Sequence, residues 1–140
     1  MRSYLVVANQ TLGGEHLMMK VRERMAAGAC RFHVVVPATP PSDHAWTEGE
    51  ARALAQSHLD AALARLRELG AEVDGEVGDQ NPLLAIGDAL RDERFDEIIL
   101  STLPPGPSRW LKLDLPRRAA DRFGLPVTHV IGDHEPANRP

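Results

Sequence analysis

The chain has 140 residues and a mass of 15.3 kDa; with 43% apolar residues it has the size of one compact domain and enough apolar side chains for a core. Its 16 basic and 20 acidic side chains leave a formal net charge of -4, which excludes a generic basic surface for nucleic acid or an anionic membrane. No apolar run approaches the roughly 18 residues of a membrane span, and no basic region followed by a signal-like apolar stretch opens the chain, so a cytoplasmic location is expected.

Apolar periodicity then alternates between two kinds. Residues 4–8 (YLVVA) form a short continuous apolar run, as a strand buried on both faces requires. A helix is expected over 15–27, because Leu17, Val21 and Met25 fall on one stripe while Lys20, Glu23 and Arg24 lie off it. A second strand is expected over 32–36, dense in β-branched residues and stopped by Pro37. The single cysteine, Cys30, lies where that strand begins and reads as a core thiol, since one cysteine can form neither an internal disulfide nor a cysteine metal cluster. Residues 38–49 read as a surface loop with a tryptophan near its end.

From 50 to 69, Leu54, Leu59, Leu63, Leu66 and Leu69 with Ala55 and Ala62 make a broad helical stripe that Gly70 closes. A short strand over 72–77 precedes Asn81-Pro82, a good helix entry because asparagine caps free amides and proline tolerates the first helical position. Leu83, Leu84, Ile86 and Leu90 are expected to face the core. A buried strand over 97–101, a short helix over 114–123 and a last strand over 127–131 complete the pattern, followed by a polar tail expected to fray over 133–140. Five strands alternating with four helices imply one α/β domain over 1–132, a three-layer α/β/α sandwich on a parallel sheet.

In such sheets ligands sit outside the carboxyl ends of the strands. Three segments converge there: 9–14, 37–39 and 101–114. The first offers Asn9, Gln10, Thr11, Gly13 and Gly14 just ahead of a helix N-terminus, where an anion can be held or where the glycines simply turn the chain. It is neither a dinucleotide fingerprint nor a Walker A loop. No nucleophile elbow, zinc helix or paired histidines appear, so no catalytic residue, no metal and no enzyme activity are expected. His33 and His129 read as packed or edge residues, and His16 is the one histidine placed beside the glycine loop. Asp92, Glu93, Asp96 and Glu97 read as a solvated charge run, and Trp46 and Trp110 as packing residues.

The order of elements, the stretch Val77-Gly78-Asp79-Gln80-Asn81-Pro82-Leu83-Leu84-Ala85-Ile86 and the ending Gly124-Leu125-Pro126-Val127-Thr128-His129-Val130 together resemble the universal stress protein domain over about residues 3–132. The resemblance implies a Rossmann-like, adenine nucleotide alpha hydrolase-like sheet of order 3-2-1-4-5, a role in stress response and a homodimer through Val127, Thr128, His129, Val130 and Ile131, an edge strand with an unpaired row of backbone groups. It also implies a G-x2-G-x9-G motif with a following hydroxyl residue after the fourth strand. That spacing lands here on Ser101, Pro104, Asp114 and Leu115, so every glycine is replaced. Proline has no amide to give a phosphate, and Asp114 sets a carboxylate where a phosphate would sit, free to cap the next helix itself.

The family's adenine-contacting aspartate corresponds to Asn9, and Arg109 offers either an anion contact or a partner for Asp114. The expectation is therefore a dimeric regulatory or interaction domain without ATP in the usual family mode and without a cofactor. The alternative is a nucleotide or nucleoside binder, taking ATP or AMP through Ala8, Asn9, Gln10, Thr11, Gly13, Gly14, Val36, Pro37, Ser101, Thr102, Gly106, Ser108 and Arg109. An ATP pyrophosphatase or nucleotidyl transferase would need S-G-G-x-D-S or H-x-G-H, and neither is present.

Overall fold

A computed structural model describes residues 1–40, 44–104 and 109–132. The tail expected at 133–140 lies outside them. Among the described residues the order is β1 (Arg2–Val7), α1 (Glu15–Ala27), β2 (Cys30–Pro37), α2 (Glu48–Glu68), β3 (Val73–Gly78), α3 (Pro82–Asp92), β4 (Glu97–Thr102), α4 (Arg109–Lys112), α5 (Leu115–Phe123) and β5 (Val127–Ile131). All strand pairs are parallel, in the order β3-β2-β1-β4-β5. No described helix is long and apolar enough to cross a membrane.

Period-two alternation in the strands divides the core between the two sheet faces. Tyr4, Val6 and Ala8 of the first strand and its exit pack with Leu17, Met18 and Val21 of α1 and Ala55, Leu59 and Leu66 of α2. Leu5 and Val7 point the other way, into a layer with Leu83 and Ile86 of α3, Ile98 and Leu100 of β4, and Leu115 and Ala119 of α5. Both faces of β1 and β4 are covered, which is why these strands read as continuous apolar runs.

Local signals place the helix ends. Thr47 accepts the Glu50 amide at 3.1 Å while Glu50 accepts the Thr47 amide at 3.0 Å, a capping box that starts α2 at Glu48 and shortens the expected 38–49 loop. Asn81 caps α3 as expected, accepting the Leu83 amide at 3.0 Å. Gly70 follows α2 at φ 92°, a left-handed conformation that costs glycine little.

Several expectations are corrected. Leu84 is 48% exposed instead of facing the core, because Leu83 and Ile86 already fill the stripe of α3. Glu97 is buried at the start of β4, held by Arg24 at 2.8 Å and by the Thr128 hydroxyl. Burial pushes the Glu97 carboxyl up, but these two donors outweigh it and keep the pKa below the usual value. Glu93 pairs with Arg31, and Asp96 accepts the Ser3 amide at 2.8 Å, so the charge run ties elements together instead of facing only solvent. Cys30 is half-buried against the α1 and α2 layer. Gly87 lies inside α3, where glycine is less favourable than alanine by about 1 kcal/mol.

Candidate functional site

The sheet order places β1 centrally, so the chain leaving it meets the segments after β2 and β4 at the carboxyl ends of the strands. Asn9 is the first residue past the buried run and is itself buried. Its Nδ2 donates to the carbonyl of Pro37 at 2.8 Å and to that of Thr39 at 3.2 Å. With both protons directed at those carbonyls, Oδ1 is the acceptor for His58 Nδ1 at 2.6 Å, which makes His58 the Nδ1–H tautomer. Burial pushes the His58 pKa down, consistent with a neutral ring donating from one nitrogen.

His58 belongs to α2 and was not among the expected site residues. The signal was its place on the apolar stripe, between Ala55 and Leu59, both buried.

A second pair closes the other side. Thr11 and Ser101, both buried, share a hydrogen bond of 2.6 Å between their hydroxyls. Gly132 packs so closely on the Thr11 side chain that a Cβ there would come within 2.8 Å of it. Thr102 donates to the Leu103 carbonyl at 2.9 Å, so its oxygen accepts from His129 Nε2 at 2.8 Å. Burial lowers the His129 pKa as well.

The segment after β4 is fastened across the sheet ends. Trp110, in α4, is buried in the layer that includes Val7, Val35 and Leu83, and its indole N–H donates to Thr39 Oγ1 at 3.3 Å. Thr39 in turn donates to the Gln80 carbonyl at 2.6 Å. Asn9, Thr39, His58 and Trp110 thereby join the exits of β1, β2, β3 and β4. The packing expectation for Trp110 holds; Trp46 is half-buried and stacks on His44 at 4.2 Å.

The loop from β1 to α1 is also turned inward. The Leu12 amide donates to the Asn9 carbonyl and the Gly14 amide to that of Thr11. Gln10 and Gly13 are exposed, and the Gly13 carbonyl accepts Arg65 at 2.5 Å. Glu15 opens α1, which sets a carboxylate beside the amides expected to hold an anion. Ala8, Val36 and Pro37 are buried at the strand exits as spacing required.

Asp114 departs from expectation in a telling way. It has φ 56° and ψ 41°, the left-handed region, and it is the one non-glycine residue with positive φ among the described residues. This is a conformation that glycine adopts at little cost and that an L residue rarely takes. Its carboxylate makes no cap to α5, because it binds Arg117 at 2.7 Å instead. Leu115, the first residue of α5, is buried in the core. Pro104 is half-buried, while Gly106, Ser108 and the side chain of Arg109 lie outside the described residues.

No protein-family model and no curated protein sequence matches the chain. Solved structures do. A universal stress protein from Archaeoglobus fulgidus superposes with a TM-score of 0.64 over 93% of each chain, at 15% identity. A universal stress protein family protein from Arabidopsis thaliana with AMP bound gives 0.65 over 94% of this chain and 92% of that one, at 11% identity. The chain has the universal stress protein fold. A universal stress protein in complex with cAMP shares it as well, with a TM-score of 0.61, 17% identity and coverage of 92% and 96%. The sheet order read from that fold's resemblance is the observed one.

Proposed function

We propose that this chain is a non-catalytic regulatory or interaction domain of the universal stress protein type, working as a homodimer through β5, whose strand-end site does not take ATP in the usual family mode. The observation that carries the reading is Asn9. Its amide is engaged at both ends within the chain, by the Pro37 and Thr39 carbonyls and by His58, so the group at the adenine-contacting position is already satisfied. Two further features support it. Thr11 and Ser101 satisfy each other at the exits of β1 and β4, and Asp114 brings a carboxylate to a glycine position of the phosphate motif. A phosphate there would meet a like charge.

The second reading is a smaller ligand, since two fold neighbours are described with AMP or cAMP bound. Adenosine, AMP or cAMP would displace His58 from Asn9 and use the Pro37 and Thr39 carbonyls.

Thermal unfolding with millimolar Mg-ATP, adenosine, AMP and cAMP tests both. No change in Tm with any of them is expected. A rise above roughly 5 °C with Mg-ATP, as a ligand present well above its Kd produces, would overturn the main reading. A rise with AMP or cAMP alone would establish the second.

A further inference from the structure

On the far face of the sheet, α3 and α5 leave a groove of about 330 Å³ between them, at the lower end of the roughly 300–1,000 Å³ of small-molecule sites. Its lining includes none of the residues that hydrogen-bond across the strand ends, Asn9, Thr11, Thr39, His58, Ser101 and Trp110, and it owes nothing to the reading of that site. Its walls are apolar: Leu83 and Leu90 from α3 and the Phe123 ring from α5. Leu84, 48% exposed, extends the apolar edge.

Gly87 faces this groove from inside α3. A Cβ there would stand 3.6 Å from Phe123 Cε1 and 3.7 Å from Cζ, ordinary contact distances, so packing does not demand glycine. What its missing methyl group does is leave the edge of the Phe123 ring open to the groove.

Charge at the rim selects the sign of an occupant. Arg91 is paired with Asp88 one turn earlier on α3. Arg122 is exposed, lies 5.9 Å from the Phe123 ring centroid, and has no carboxylate partner among the described residues. A guanidinium that stacks over Phe123 and has no carboxylate partner among the described residues therefore stands at the edge of an apolar floor. A flat apolar body would rest against Phe123 and the leucines, while a carboxylate takes the forked donors of Arg122.

We infer that the groove between α3 and α5 binds a small aromatic carboxylate, with its ring on Phe123 beside Gly87 and its acid group on Arg122. The test is an NMR titration of the ¹⁵N-labelled full chain with 4-phenylbutyrate and, separately, its uncharged counterpart 4-phenylbutanol. Amide shifts clustered on residues 83–91 and 119–123 are expected with the acid, with the alcohol binding more weakly. Arg122→Gln should weaken the acid by about tenfold, as loss of one charged hydrogen-bonding group does. Gly87→Ala, which narrows the groove at an unstrained helical position, should weaken both probes.

Equal binding of acid and alcohol, or an Arg122→Gln affinity equal to wild type, would overturn the assignment of the anion. Absence of shifts on these helices at millimolar acid, or shifts produced only by an acidic peptide, would overturn a small-molecule site altogether.

Discussion

Both ends of the Asn9 amide bind groups far away in sequence, and His58 owes its tautomer to that arrangement and its lowered pKa to burial. Removing His58 leaves Asn9 Oδ1 buried without its donor, so His58→Ala should cost about 1–3 kcal/mol at neutral pH, measured by urea unfolding. A pH dependence follows from the same burial. His58 and His129 both have folded-state pKa values below the ordinary 6.5. As pH falls through that value the unfolded chain takes up protons that the fold refuses, so stability declines until the lower folded pKa values are reached. Glu97 adds a second step: its folded pKa lies below the ordinary 4.5, and its contribution is lost as pH falls through the folded value. The unfolding free energy should thus drop between pH 7 and 5, and drop less in His58→Gln, which retains a donor but does not titrate. Identical pH slopes for the two proteins would show that His58 is not held neutral. Asn9 was readable from sequence because it ends an apolar strand. His58 was not singled out, because a histidine on an apolar stripe has many packed outcomes and its partner lies 49 positions away.

Strands and long helices were legible because each carries its own period, and their limits shifted by a few residues where hydrogen bonding outlasts the apolar run: β2 spans Cys30–Pro37 and includes the proline at its edge with Gly78 of β3. The one-turn helix α4 was not visible, since four residues offer no period to read. The start of α5 is the informative failure. Asp114 was expected to cap this helix through its side chain; its backbone is instead left-handed and the carboxylate makes the exposed pair with Arg117. An exposed pair of this kind stabilises little, whereas an L residue in the left-handed region is strained by about 1–2 kcal/mol, less for aspartate. Asp114→Gly should therefore leave stability unchanged or raise it by up to about 1 kcal/mol, after the larger unfolded-state entropy of glycine is subtracted. A chemical denaturation midpoint clearly below wild type would mean that the Arg117 contact, not the backbone, sets the start of this helix.

The sheet has two edges, and they differ in a way that only the whole topology exposes. At the β3 edge, Asp74 and Glu76 are exposed, and both engage His33 of β2, at 2.7 and 2.9 Å. Charges on an edge strand discourage pairing with another chain. The β5 edge has none: its five residues are Val127, Thr128, His129, Val130 and Ile131, and burial lowers the histidine's pKa toward the neutral form. Ile131, at the end of the strand, is 45% exposed. The outer backbone groups of β5, which pair with no strand among the described residues, are thus flanked by side chains that another β5 strand can accept. Pairing about a two-fold axis would make the contact self-complementary and closed. Sedimentation of the wild-type protein should then give twice the 15.3 kDa of the chain. In Ile131→Glu two carboxylates enter the same interface, and the dimer should dissociate while far-UV circular dichroism stays that of the wild type, because Ile131 is exposed and β4 still pairs with β5. A wild-type chain that sediments as a monomer at millimolar concentration would remove β5 as a pairing edge; a variant that remains dimeric would move the interface to another face.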